Sequence, residues 1–328
     1  MERECLVSVL CTAYNHEAYI RQTLQSFVEQ QTDFAFEVLV NDDVSTDGTA
    51  AILREFAGRY PDIVRPFYQT ENLFSRYIDI YQTVFMPAAR GKYVAVCEGD
   101  DYWTDVTKLQ RQVDFMEAHP EYSACVHNTI LHDCSGRDPD RPLLHMDGDC
   151  DVSIGNVAKG VSYSFHTSSI LTRAEYFREL PPYYFDGLRN GFSDHPFALW
   201  LMFNGKVRCL DRCMSVYRIN SGKNAWSTGV NREYEKLRNY VDGERQLLVT
   251  CLDYAPEEFR PTIRHEITER EFELMFIEGR DEEQRRSPYR EILRGKSLGY
   301  RMKNALKCAF PRLKRLYRHI RGYRTEEV

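Results

Sequence analysis

The 328-residue chain contains no window of about 18 consecutive apolar residues, so it predicts no transmembrane helix. Its start lacks the shape of a secretion signal. Met1-Glu2-Arg3-Glu4 puts charge first, and the short apolar run Leu6 to Cys11 reads as a first core strand. There is no internal repeat, and no low-complexity segment apart from a basic tail. The pattern Gly-x4-Gly-Lys-Ser/Thr is missing, which excludes a P-loop NTPase. The ten Cys are scattered, and Cys11, Cys97 and Cys125 lie inside apolar runs. Without a secretion signal they are expected as reduced, buried thiols. Cys209 and Cys213 stand four apart with no matching Cys/His pair nearby, so no zinc site is expected.

What is present is an ordinary globular balance, 43% hydrophobic and 28% charged, in a chain long enough for a substantial core. The net charge of −6 hides an asymmetry. From Arg294 to Arg324 there are eleven Lys/Arg and no Asp or Glu. An acidic body with a basic tail is not the profile of a nucleic-acid binder, whose basic residues form a patch on the folded domain. Leu298, Met302, Ala305, Leu306, Phe310, Leu313 and Leu316 are interspersed among the basic residues, with Pro311 interrupting. The tail reads as one or two short amphipathic helices on an anionic membrane surface, as a disordered or self-packed basic segment, or, third, as a nucleic-acid contact.

Along the first half, strands alternate with helices. Apolar runs at 6–11, 37–40, 63–68, 93–97 and 122–127 predict strands. Between them, Ile20, Leu24, Phe27 and Val28 share one helical face, as do Ile52, Leu53 and Phe56, and Leu109, Val113 and Met116. Such alternation implies βαβ units and a largely parallel sheet. In the second half, 137–160 reads as a long loop, 168–171 as a strand, 173–180 and 196–203 as helices, and 207–210 as a strand. Longer helices are expected from about 231 to 279.

Polar clusters fall where strands end, which is where open α/β sheets bind ligands. Glu98, Asp100 and Asp101 place three carboxyl groups within four residues. A fold keeps such a cluster if a cation neutralises it or if it is solvated. Mg²⁺ and Mn²⁺ bind through one or two carboxylates plus substrate phosphates, so an ion here could bridge a pyrophosphate. A surface turn capping the next helix explains the same residues. Asp42 and Asp43 end another strand, followed by the helix caps Ser45, Thr46 and Asp47. Asp42 is a candidate for a nucleobase edge or a ribose hydroxyl. Thr12-Ala13-Tyr14-Asn15 closes the first strand, and Tyr14 could stack on a base or belong to the core.

Taken in order, these segments resemble the inverting family 2 glycosyltransferases of the GT-A fold, most closely the bacterial branch that modifies cell-surface polysaccharides. The resemblance rests on Val7 to His16, Asn41 to Thr49, Cys97 to Asp105, Lys108-Leu109-Gln110 and Met214 to Arg218. It implies an α/β fold: a Rossmann-like, mixed but mostly parallel sheet flanked by helices, with a helical C-terminal appendage. The domain would cover 1–225, with a donor half to about 125 and an acceptor half after it. A helical appendage would follow at 226–290 and the basic tail at 291–328.

The resemblance also implies roles. Thr12, Ala13, Tyr14 and Asp42, with Asp43 close by, would hold the nucleoside. The family's Asp-x-Asp element falls on Glu98-Gly99-Asp100, with Glu in place of the first Asp. Asp100 and Asp101 would carry Mn²⁺ or Mg²⁺, and Arg76 would contact the phosphates. Asp194, before a helix in the second half, would be the base that deprotonates the acceptor hydroxyl, although it or Ser193 also suits the helix N-cap. His195 is the runner-up. His166 and Trp226 are acceptor-side candidates, and Trp226 suits a buried structural site equally. The expected partners are a nucleotide-sugar donor, uridine-linked by family, and a glycan or lipid-linked glycan acceptor, with no nucleic acid. The expected location is the cytoplasm or the inner face of the cell membrane. A catalytically silent nucleotide-sugar-binding protein on the same fold is the alternative. A sugar nucleotidyltransferase is a second, disfavoured because no Gly-rich loop with following Arg and Lys lies near the N-terminus.

Overall fold

The computed structural model describes residues 4–189, 193–221 and 234–309. The chain divides into two compact units, residues 1–225 and 226–328.

The first unit begins with β1 (Cys5–Ala13), α1 (Ile20–Val28), β2 (Ala35–Asp42), α2 (Thr49–Arg59) and β3 (Val64–Tyr68). After the short α3 (Met86–Ala88) come β4 (Tyr93–Val96), β5 (Tyr102–Trp103), α4 (Lys108–Ala118) and β6 (Tyr122–Asp133). With β9 (Leu171–Arg173) and β10 (Lys206–Ile219), one mixed sheet runs in the order β3-β2-β1-β4-β9-β6-β10-β5. Its β3, β2, β1 and β4 are parallel neighbours, which aligns their carboxyl ends along one edge. Val7, Val9, Leu10 and Cys11 of β1 are fully buried, because a parallel strand is covered on both faces. Ile20, Leu24 and Phe27 present the expected stripe of α1 to this core.

The second half departs from the expected pattern. Segment 137–160 is not all loop: it holds β7 (Arg141–Pro142), β8 (Cys150–Asp151) and α5 (Ile154–Ala158). Residues 167–169 form a 3-10 turn, and β9 starts only at Leu171 (Leu171–Arg173). Then follow α6 (Glu175–Arg178), α7 (Pro182–Arg189) and α8 (Asp194–Asn204). The last strand, β10 (Lys206–Ile219), is far longer than its apolar start. It pairs in parallel with β6 along its whole length, absorbing irregularities around Cys213. Strand pairing, not local hydrophobicity, keeps this polar segment extended.

Within this core sits a fully buried lysine. The Lys108 ammonium lies 4.1 Å from the centre of the Trp103 ring and donates to Gln112 Oε1 at 2.8 Å. Burial pulls its pKa down to about 7. At this site the unfolded chain therefore holds more protons than the folded one between about pH 7 and the ordinary lysine value of ~10.4, so Lys108 contributes stability that rises with pH across that window, by up to ~1.4 kcal/mol per unit, against the opposite contribution of the buried thiols whose pKa burial raises. Melting curves from pH 7 to 10 should differ between the wild type and Lys108→Met by this slope, the variant rising less or falling more with pH. The same pH dependence in both proteins would refute the assignment.

The second unit is helical, with helices Tyr234–Cys251, Arg260–Glu278, Tyr289–Gly295 and Leu298–Ala309. Val241, Leu274 and Ile277 pack together within it. Among the described residues no helix is long and apolar enough to cross a membrane.

Candidate active site

The aligned strand ends bring three loops together. Asp43 N–H donates to Ala13 O, and Gly99 N–H donates to Thr12 O, both at 2.9 Å. The first strand's last carbonyls thus hold both acidic loops. Ala13 is itself buried, so its contribution is this backbone contact, whereas Tyr14 just beyond it is 40% exposed. Ser45 and Thr46 do not cap α2. Ser45 Oγ accepts Asn15 N–H at 2.9 Å, and Asn15 Oδ1 accepts Thr46 N–H at 2.7 Å, which stitches the β1 and β2 loops to each other. Only Asp47 takes an N–H of the first helical turn, from Thr49 at 2.9 Å.

The Asp42/Asp43 pair splits its work. Asp42 Oδ1 accepts Ser45 N–H at 3.2 Å at the strand end. Asp43 turns away, and its two oxygens accept Leu73 and Phe74 N–H at 2.7 and 3.1 Å. Asp43 is therefore an anchor for the loop that carries Arg76. Val44 between this pair and the helix sits at φ 66, an uncommon conformation for a β-branched residue and a mark of local strain. Arg76 ends the 3-10 turn Phe74–Arg76, half exposed and paired with Glu71.

The Glu98–Asp101 turn sits across from them. Gly99 is required by close approach: a Cβ there would lie 2.8 Å from His16 Nδ1 and 2.9 Å from Ile20 Cδ1. Glu98 accepts the Thr167 hydroxyl at 2.9 Å. Burial pushes the Glu98 pKa up to about 7, with the charges of Asp100 and Asp194 adding to the rise. Asp100 stays partly exposed and accepts the Ser221 hydroxyl at 3.1 Å. Asp101 differs from the expectation that it faces a metal beside Asp100. It is 2% exposed, its Oδ1 accepts Arg218 N–H at 2.9 Å, and its Oδ2 lies 3.7 Å from His166 Nδ1. Asp101 faces inward because β10 needs its terminal N–H satisfied where the sheet stops.

His166 belongs to this same cluster. It stacks on Tyr217 at 3.9 Å, and burial drops its pKa to about 3, which keeps it neutral. Asp194 is the first residue of α8, and its Oδ1 accepts His195 N–H at 2.9 Å. It thus helps start the helix, and its charge also reaches Glu98 and Tyr217. His195, the runner-up for the base and also an acceptor-side candidate, is 2% exposed in the first turn of α8. Trp226 lies outside the described residues.

Strand ends thus gather Tyr14, Asp42, Glu98 and Asp100, with Asp194 in electrostatic range. The profile of Glycosyl transferase family 2 matches residues 8–180. The chain belongs to this family. An uncharacterized protein of Mycobacterium tuberculosis strain H37Rv is 40% identical over 149 residues, 44% of this chain and 42% of its own length. The chain thus spans less than half the length of these mycobacterial relatives. The putative glycosyltransferase EpsE of Bacillus subtilis is 28% identical over 197 residues, 60% of this chain and 66% of that protein. The fold is that of S. aureus TarS in complex with UDP-GlcNAc: TM-score 0.57, 19% identity, 82% of this chain and 73% of that one. It is also that of the Pyrobaculum calidifontis mannosyltransferase PcManGT in complex with GDP-Man and Mn2+: TM-score 0.55, 18% identity, 94% and 85% covered. The expected GT-A sheet with a helical C-terminal region is what this family member has.

The site suits a divalent ion without caging one. Among the described residues no three His, Cys, Asp or Glu side chains converge as a preformed metal site. Glu98 and Asp100 nonetheless concentrate negative charge at one turn, with Asp100 partly open. That is the donor set of an ion which takes one or two carboxylates and completes its shell with phosphate oxygens. Nothing local in the sequence gives a role to Arg218, Tyr217 or Ser221, whereas Thr167, next to His166 in a segment expected to line the acceptor cleft, instead donates to Glu98. A buried charge in β10 was the available signal for Arg218, but burial there is visible only once β10 pairs with β6.

Proposed function

We propose that the chain is an inverting glycosyltransferase. It moves a sugar from a nucleoside-diphosphate donor, uridine-linked, to a hydroxyl of a growing cell-surface polysaccharide or its lipid-linked precursor. The observation that carries this reading is the placement of Glu98 and Asp100 on one turn after β4, with Asp194 at the start of α8 close enough for its charge to reach Glu98. Three carboxylates at one edge are costly unless a cation and a proton transfer use them. Support also comes from what relatives are named for. One is a UDP-Glc:alpha-D-GlcNAc-diphosphoundecaprenol beta-1,3-glucosyltransferase of Escherichia coli, 31% identical over 112 residues, which are 34% of this chain and 41% of that protein.

In this reading residues 1–225 are the transferase domain. Thr12, Tyr14 and Asp42 hold the nucleoside, and Arg76 lies on a loop fixed by Asp43. Asp100, with Glu98, holds Mn²⁺ or Mg²⁺, which when bound neutralises charge on the departing diphosphate. Asp194 takes the acceptor proton as the hydroxyl attacks the anomeric carbon from the face opposite the leaving group. Calorimetry with UDP, with and without Mn²⁺, tests the donor side. A panel of UDP, GDP, dTDP and CDP that gives no binding would overturn the donor-site reading and leave a non-catalytic role on the same fold.

The tail supports membrane placement at the cytoplasmic face. On helix Leu298–Ala309, Asn304 is buried and donates to Gln284 Oε1 at 2.8 Å. Leu298, Met302 and Leu306 recur every four residues and are 65%, 58% and 52% exposed. An open apolar stripe among Arg and Lys is the design of an interfacial helix. The full chain should co-sediment with phosphatidylglycerol vesicles and not with phosphatidylcholine vesicles. Leu298→Ser/Met302→Ser/Leu306→Ser should lower that binding about tenfold or more, given ~0.8 kcal/mol per buried methylene. Equal binding to both vesicle types would refute the electrostatic part.

A further inference from the structure

We propose that Arg218 is the positioning residue that sets the conformation of the Glu98–Asp101 turn for metal-dependent donor binding; this rests on the donor-site reading above. Arg218 comes from the far end of β10 and is 7% exposed. Its guanidinium lies between two aromatic rings, 4.9 Å from the centre of Tyr19 and 4.6 Å from that of Tyr102. From there it donates to the carbonyl of Asp100 and to Gln22 Oε1. In return its own N–H is held by Asp101 Oδ1 at 2.9 Å. The two contacts are reciprocal: Asp101 fixes the strand, and the strand's side chain fixes Asp100.

The rest of the turn is held from the other side. Thr23 Oγ1, on α1, donates to Asp101 O at 2.6 Å and lies 3.0 Å from Gly99 O. Ser221, three residues beyond Arg218, donates to Asp100 Oδ2 at 3.1 Å, and its own carbonyl accepts the Tyr19 hydroxyl at 2.6 Å. The Asp100 backbone and side chain are thus both tied to the end of β10. A buried guanidinium is expensive unless its donors are matched. Here they are spent on a main-chain carbonyl of the metal-bearing turn, which orients the Asp100 carboxylate without touching the ligand. This is a support role, since the partners that orient a metal ligand set its affinity as the ligand itself does.

The test is calorimetry of the full chain with UDP, with and without Mn²⁺, alongside thermal unfolding. Arg218→Met should weaken Mn²⁺-dependent UDP binding by about tenfold to a hundredfold and leave metal-free UDP binding unchanged. Arg218→Lys keeps the charge but not the two-pronged planar geometry, and should fall between the variant and the wild type. Gln22→Ala, on the exposed side of the clamp, should give a smaller loss in the same direction and carries the test if Arg218→Met does not fold. Wild-type metal dependence that survives in these variants overturns the assignment. An equal loss of metal-free and metal-dependent binding also overturns it, because that is what a merely structural arginine would give. No Mn²⁺-dependent binding of any nucleoside diphosphate by the wild type overturns the donor-site reading itself, and the clamp's purpose with it.

Discussion

Asp100→Asn is expected to abolish Mn²⁺-dependent nucleotide binding and to lower sugar transfer by about 10²–10⁴-fold, because charge stabilisation by a bound ion is worth several kcal/mol. The substitution keeps size and hydrogen bonding, so the Ser221 contact and the turn should persist. What it removes is a carboxylate charge that is partly exposed and outside the Arg218 N–H contact made by Asp101. Calorimetry with and without Mn²⁺ separates the effects. Metal-dependent binding equal to wild type would move the ion to Glu98 or out of the mechanism. Asp101→Asn is a different experiment. It disturbs a buried carboxylate that holds β10, so lower stability should accompany any loss of activity.

Asp194→Asn should lower kcat by about 10²–10⁴-fold, the range for losing a general base, while nucleotide binding stays unchanged. Asn can still accept His195 N–H at the start of α8, so helix and fold should survive. Transfer to a strong nucleophile that needs no base, such as azide offered in place of the acceptor, should be lowered much less. Near-normal turnover with the hydroxyl acceptor would remove Asp194 from the mechanism. The two substitutions thus dissect the site in opposite ways, one through donor affinity and the other through turnover.

The first half was legible because its signals are local. Buried parallel strands write continuous apolar runs, and amphipathic helices write a stripe at helical spacing. Hence β1 to β4 and the helices between them fall near their expected places. The second half was less legible because its strands are held by partners distant in sequence. β10 carries Arg, Asp and Cys among its apolar residues, and only pairing with β6 reveals its length. Residues 168–171 read as a strand, yet 167–169 form a 3-10 turn capped by His166, which accepts Ser168 N–H.

The candidate site divides along the same line. Sequence alone placed acidic residues at two strand ends, since the end of an apolar run and the carboxylates after it are adjacent in the chain. It could not say which carboxylate of Asp42/Asp43, or of Glu98, Asp100 and Asp101, looks outward. That choice depends on Leu73 and Phe74, which claim Asp43, and on Arg218, which claims Asp101 from 117 residues away. Neighbouring carboxylates are chemically alike, and only the backbone donors brought to them by the folded sheet make them different.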